Sequence, residues 1–482
     1  MERPRLTSLL TWTVVGTYFL VALGASAATD PPMLAPGIHH AVAVLVGLLL
    51  LATVFVAWTG QAPARVRWGL TVVGLAYPVQ ATLGLAAVAG LRPLDDALHL
   101  VGGVAVFAAL LVALVAQLEH ATTPRDGPVA VDNSDEGGSA AGDGDIIANA
   151  ANAAADAANA ANAAADAANA GDTAGDVATR DGTAAHNGGV FPRLRSRCRA
   201  YLELTKPRLL WLLCLLALAG MGLAAAAGDS LDGVTVTATL AGGVLAVGAA
   251  GTFNHVYERD RDRRMSRTAD RPVATATVSP GRAAAFGCLL GVASLGLFLA
   301  LVNPLAAALT AAAIGYYSVV YTVLLKPTTQ WNTVIGGGAG ALPAVIGYVA
   351  VGGEVAVPAL LLAAVVFCWT PAHFYNLAIV YREDYAAASY PMLPVVRGVR
   401  STRRRIVGWL GATLLTASWL GAVTDLGLLY AVTSTVFGGV FVGAVVRQYR
   451  VGSDRATVRS FHASNAYLGC LLTAVVLETI AF

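Results

Sequence analysis

The stretch NHVYERDRDRRMSRTADRPV, from Asn254 to Val273, concentrates carboxylates and guanidinium groups directly after a long apolar run. Asn254, Glu258 and Asp262 recur every four residues, so on a helix they stack along one face a turn apart, with Asp260 displaced to the side. Carboxylates at that spacing suit Mg²⁺, a hard ion that takes oxygen ligands and commonly shares them with substrate phosphates. Arg259, Arg261, Arg263, Arg264, Arg267 and Arg271 surround the acids. Guanidinium forks hold phosphate oxygens by charge-assisted hydrogen bonds, so the pattern points to a diphosphate substrate. A salt-bridged anchor at a membrane surface is the competing account, and this stretch taken alone fits both.

A second stretch, TPAHFYNLAIVYREDYAAASYPMLPVVRG from Thr370 to Gly398, again leaves an apolar run and carries His373, Asn376, Arg382, Glu383 and Asp384. Two acid-bearing helix exits on one membrane face would frame a cavity with a polar mouth and an apolar body, a shape that suits a lipid diphosphate. His373, at the end of a membrane helix, is either a ligand for haem iron or a packed interfacial residue. His39 and His40 end one apolar run and His99 begins another at similar depth. Imidazoles so placed suit axial ligation of haem iron, with unliganded interfacial histidines as the alternative.

These residues need membrane helices to position them. The chain has 482 residues, of which 56% are hydrophobic and 12% charged, and a mean hydropathy of +0.65, which excludes a soluble globular protein. Apolar runs of roughly 20 residues cross a hydrocarbon core as helices. They are continuous, without the alternation of a barrel strand. The expected fold is an all-α integral membrane protein. Residues 1–120 form a four-helix bundle, with helices near 8–28, 39–59, 66–90 and 97–118. Small residues at Ala25, Ala27 and Ala28 resemble a signal cleavage site, but the first run is long for a signal and is expected to remain. Residues 121–194 form a low-complexity linker of Ala, Asn, Asp and Gly, too poor in large apolar side chains to order itself. Residues 195–482 carry nine more runs, near 208–227, 234–256, 283–302, 304–325, 333–352, 356–380, 406–422, 425–446 and 463–481.

The Arg-rich connections 257–272, 397–405 and 447–459 are placed in the cytoplasm, as are the N-terminus, through Arg3 and Arg5, and the linker. The plasma membrane is the expected location. Cys198, Cys214, Cys288, Cys368 and Cys470 lack paired metal spacing and are expected to pack as small apolar residues. The net charge of +2 gives no reason to expect a nucleic-acid partner.

YLELTKPRLLWL (201–212), the Asn254 stretch with RTADRPV, QWNTVIGGGAGALPAVIGY (330–348) and the His373 stretch occur in this order and resemble the protohaem IX farnesyltransferases. These haem O synthases are a branch of the UbiA-type intramembrane prenyltransferases. TPAHF with the DY and PMLP elements points to that haem-modifying branch. The resemblance implies a nine-helix bundle in which two acidic motifs bind Mg²⁺ and the diphosphate above a lipid-filled cavity. Asn254, Asp260 and Asp262 correspond to the first motif and Asp384 to the second, while Glu258 stands where the family usually has Asp and reaches one methylene further. Asn254, Glu258, Asp262 and Asp384 become the candidates for the reaction, with Glu258, Asp260, Asp262 and Asp384 for the metal. Lys206, Arg208, Arg261, Arg267, Lys326 and Arg382 become candidates for the diphosphate. For Lys206, Arg208 and Lys326 the bland alternative is a positive membrane flank.

The implied reaction moves a farnesyl or longer prenyl group from prenyl diphosphate to a vinyl group of haem B. QATLGLAAV from Gln80 and LHLVGG around His99 are similar to one half of haem A synthase. That likeness implies a further haem in the N-terminal bundle, with His40 and His99 as candidate ligands, and suggests haem A synthase or oxidase assembly proteins as partners beside membrane lipid. Two other outcomes stay open, prenylation of a quinone precursor or another lipid acceptor, and a membrane protein that binds haem without catalysis.

Overall fold

The protein is described by a computed structural model over residues 2–27, 36–60, 62–88, 95–122, 190–424 and 426–481. The expected linker, 121–194, falls largely outside those residues. All thirteen expected runs lie on helices: α1 Glu2–Ala27, α2 Pro36–Thr59, α3 Ala64–Val88, α4 Asp95–Thr122, α6 Pro207–Ala226, α7 Gly233–Asp262, α8 Pro280–Leu301, α9 Pro304–Gly315 with its continuation Tyr316–Leu325, α10 Asn332–Gly352, α11 Val357–Val380, α13 Leu393–Val423, α14 Leu428–Val451 and α15 Asp454–Val476. A shorter α5, Val190–Leu204, precedes α6, and a six-residue α12, Arg382–Ala387, follows α11. Among the described residues twelve helices are long and apolar enough to cross a membrane. The chain is an all-α, multi-pass membrane protein.

The helix starts are written locally. Proline occupies the first turn of α6, α8, α9 and α11, where its missing N–H has no intrahelical partner to lose. Asp232 caps α7, accepting from Val234 N and Thr235 N at 2.9 Å each, and Asn303 caps α9, accepting from Ala306 N at 2.8 Å. Two features departed from simple runs. Tyr316–Leu325 is π-helical, and α13 begins well before the expected 406 because Leu393–Val423 joins two helices across Gly398. Gly398 has φ 77°, a left-handed conformation that glycine adopts without a side-chain clash.

The helices form two compact units. One contains the first four helices together with residues 402–474, and the other contains residues up to 401 from the linker onward plus 475–482. In the first unit Tyr18, 1% exposed, shares a 2.6 Å hydrogen bond with Ser434, Thr13 bonds Thr53 at 2.8 Å, and Glu119 pairs with Arg404. In the second unit α6 and α10 approach backbone to backbone. A Cβ on Gly220 would overlap the Ala344 carbonyl, and one on Gly347 would overlap that of Ala217, so small residues set this contact as they do between lipid-embedded helices. None of the cysteines is in a disulfide, and two do not pack as expected: Cys198 and Cys288 are exposed, while Cys214, Cys368 and Cys470 are half-buried.

Candidate active site

Helix α7 continues past its apolar run as far as Asp262, so the four-residue spacing operates on a real helical face. Asn254, Glu258 and Asp262 are each no more than 3% exposed. Two buried carboxylates on one face demand positive partners, because an unpaired buried charge costs several kcal/mol. Arg271 supplies one, its Nη1 lying 2.9 Å from both Asp262 oxygens and 3.7 Å from Glu258 Oε2. Lys326, at the end of the π-helical segment, supplies the other by donating to Glu258 Oε1.

Lys206 completes the row. It sits just before Pro207 with φ 54°, ψ 57°, a left-handed conformation that a side chain normally avoids. From there its Nζ donates to Asn254 Oδ1 and, at 3.1 Å, to the Tyr317 hydroxyl. Asn254 Nδ2 in turn donates to Thr322 Oγ1 at 3.2 Å. Burial, and then the Arg271 charge, pull the Lys206 ammonium down to about 8, with Glu258 and Asp262 pulling the other way. The non-glycine residues with positive φ among the described residues are Lys206, Ala276 and Ser389. All three lie on segments that border this row.

Aromatic faces back the cations. Arg261 and Lys326 each stand 4.8 Å from the centre of the Tyr390 ring, and Lys206 stands 5.4 Å from that of Tyr317. Tyr390 and Tyr385 have hydroxyls raised above the ordinary range, chiefly by burial, so they remain protonated donors.

The other expected residues are placed differently. Asp260 is exposed and pairs with Arg259 at 2.9 Å and Arg263 at 3.5 Å. Asp384 directs its carboxylate to the connection between α7 and α8: Ser266 Oγ donates to its oxygens at 2.9 and 3.0 Å, and the Ser266 and Arg267 N–H groups at 3.3 Å. Arg267 lies against Tyr381 and Tyr385. Arg382 donates to the Ile379 carbonyl at 3.1 Å and to Glu383 at 3.3 Å, and Arg208 is exposed in the first turn of α6. His373 stacks on Trp369 with ring centres 4.2 Å apart.

In the first unit the His39 ring centre is 6.1 Å from that of His40 and 6.4 Å from that of His99. His99 Nδ1 is 3.0 Å from the Gln80 carbonyl, which must accept from it. That bond fixes the tautomer and leaves Nε2 as the ring's lone-pair nitrogen.

The arrangement fits a divalent cation. One guanidinium nitrogen already reaches oxygens of both Asp262 and Glu258, so the two carboxylates converge on a single cation position. Among the described residues no three of His, Cys, Asp and Glu gather as a metal group; an ion at this position would draw on the carboxylate pair and on oxygens of a substrate. Sequence reasoning named Arg271 as one of six surrounding arginines and did not single it out. It also passed over Tyr317, Tyr390 and Ser266. The YY–Y spacing at 316–321 and the Tyr before PMLP were visible signals for rings; nothing local marks Ser266.

The UbiA prenyltransferase family profile matches residues 213–468. Protoheme IX farnesyltransferase 2 of Natronomonas pharaonis is 55% identical over 98% of this chain and 99% of its own. Protoheme IX farnesyltransferase of Halobacterium salinarum is 45% identical over 92% of this chain and 89% of its own. The Frankia alni protein of that name is 42% identical over all of its own length and 60% of this chain. A solved structure of a digeranylgeranylglyceryl phosphate synthase superposes with a TM-score of 0.50 at 14% identity, covering 60% of this chain and all of its own, which is a likeness of fold. By profile and by full-length identity to these relatives, the chain belongs to the UbiA prenyltransferase family.

Proposed function

We propose that the protein transfers a farnesyl or longer prenyl group from prenyl diphosphate to a vinyl group of haem B, giving haem O and diphosphate. The convergence of Glu258 and Asp262 on one cation position, with Lys206 and Lys326 alongside, carries the diphosphate half of this proposal. The names of the full-length relatives support the acceptor. When bound between Glu258 and Asp262, Mg²⁺ would neutralise charge on the leaving diphosphate.

The protein's own residues do the rest. Lys206, Arg271 and Lys326 are preorganised cations, held against aromatic faces or carboxylates, that can turn to diphosphate oxygens as charge develops there. Breaking the prenyl C1–O bond sends its electron pair to diphosphate and leaves an allylic cation. The vinyl π bond attacks that cation, and water adds to the resulting centre with loss of a proton, giving a hydroxyalkyl product. His373, seven residues before the end of α11 rather than at its exit, stacks on the buried Trp369 and is the imidazole that would meet the haem.

The Arg-rich connections and the N-terminus belong in this proposal on the cytoplasmic side of the plasma membrane, with haem A synthase or oxidase assembly proteins as partners. The sequence divides by the same proposal into a bundle over 1–120, a linker over 121–194 and a prenyltransferase domain over 195–482. The His39–His99 approach, with His99 Nε2 left as a lone-pair donor, also favours a second haem in the first unit, with His40 beside it. Its Soret band in the purified protein should shift in His99→Ala; an identical spectrum would remove the N-terminal haem.

Release of diphosphate tests the main reading. It should require haem B and Mg²⁺ together and disappear in Asp262→Ala. Release at full rate from Asp262→Ala would reject the site.

A further inference from the structure

The connection between α7 and α8, residues 263–279, is fastened to the segment 381–392 at three points. Met265, 3% exposed, packs into a cluster with Ala378, Tyr385, Tyr390 and Met392. The Arg267 guanidinium lies 4.8 Å from the Tyr381 ring centre and 5.8 Å from that of Tyr385, and donates to the Tyr385 hydroxyl at 3.3 Å. Asp384 takes hydrogen bonds on both oxygens from Ser266 Oγ, at 2.9 and 3.0 Å, and from two successive backbone N–H groups at 3.3 Å. Four residues beyond Arg267 the same connection carries Arg271, which reaches back to Asp262 and Glu258.

We propose that Asp384 is a positioning residue rather than a metal ligand: it latches the 263–279 connection so that Arg271 is held at the carboxylates of α7. Three donor groups from two consecutive residues converge on this carboxylate, the serine hydroxyl lying within reach of both oxygens, in the manner of a capped turn. Met265 fixes where the connection crosses the segment, and Asp384 fixes its rotation. With the rotation set, the Arg271 side chain arrives at Asp262 already ordered, which lowers the entropy lost when a diphosphate binds. The diphosphate clause rests on the function proposed above; the latch itself does not.

The test compares Asp384→Asn and Ser266→Ala in the full-length protein in detergent. Trypsin cleavage after Arg263, Arg264, Arg267 and Arg271, followed by mass spectrometry, reads the latch without substrate. Both variants should be cut about tenfold faster than wild type. Both should raise KM for farnesyl diphosphate several-fold with kcat within about twofold, and both should bind Mn²⁺ like wild type. The double variant should be no worse than the poorer single one, as expected for two partners in one interaction. Ser266→Ala indistinguishable from wild type in cleavage and KM, with Asp384→Asn losing Mn²⁺ affinity, would overturn the latch and make Asp384 a ligand. Faster cleavage in a protein that neither binds nor turns over farnesyl diphosphate would support the latch and sink the proposed function instead.

Discussion

At the residue scale the chemistry rests on how few cations serve two buried carboxylates. Replacing Arg271 by Lys keeps the charge and loses the fork, so KM for prenyl diphosphate should rise about tenfold while Mg²⁺ dependence persists; an unchanged KM would separate Arg271 from the substrate. Lys206 makes a pH prediction with a definite sign. Its ammonium is held down at about 8, so the free enzyme carries that charge below pH 8 and loses it above. The kcat/KM for prenyl diphosphate should therefore fall through a limb near pH 8 that Lys206→Arg removes, since a guanidinium stays charged. Stability should move the other way. Between about 8 and the ordinary lysine value of 10.5 the unfolded chain binds the extra proton, so denaturation monitored across that window should show wild type gaining stability with pH. The Asn254–Glu258–Asp262 row was legible because it depends on helical periodicity alone. Arg271 as their partner was not, because eight residues of irregular chain separate it from Asp262 and its approach is decided by tertiary contacts at Met265 and Asp384.

At the element scale the long helices were legible from apolar length, while α13 and α15 start earlier than their apolar runs, at Leu393 and Asp454. The π-helical segment was not, since its residues read as an ordinary apolar run. Thr322 Oγ1 donates to the Tyr317 carbonyl five residues back at 2.8 Å, and Tyr321 lies where a Cβ on Gly336 would stand. Gly336→Ala should cost about 1–3 kcal/mol in thermal or denaturant unfolding and be relieved by trimming Tyr321 to Leu. Gly220→Ala meets the Ala344 backbone instead, and no side-chain trimming should relieve it. Equal rescue at both sites would show that the helix spacing, rather than the ring, sets the strain.

At the scale of the whole molecule, the sequence suggested a bundle joined to the rest by a linker, and packing groups the first four helices with residues 402–474. No local pattern could announce this, because it rests on contacts some 400 residues apart, such as Tyr18 with Ser434. Tyr18→Phe should lower stability by about 1 kcal/mol through the lost hydrogen bond, and Tyr18→Ala by about 3–5 kcal/mol through the cavity as well. Protection of residues 402–474 against hydrogen exchange should fall in Tyr18→Ala; unaltered protection would mean that those helices stand without the N-terminal ones.

Prenyl transfer to haem can be read from the mass of haem recovered after incubation of the purified protein with haem B, Mg²⁺ and farnesyl or geranylgeranyl diphosphate. The recovered haem should gain one prenyl group plus one water, and this gain should be absent in Asp262→Ala. Unmodified haem, recovered while a quinone precursor in the same lipid is prenylated, would contradict it.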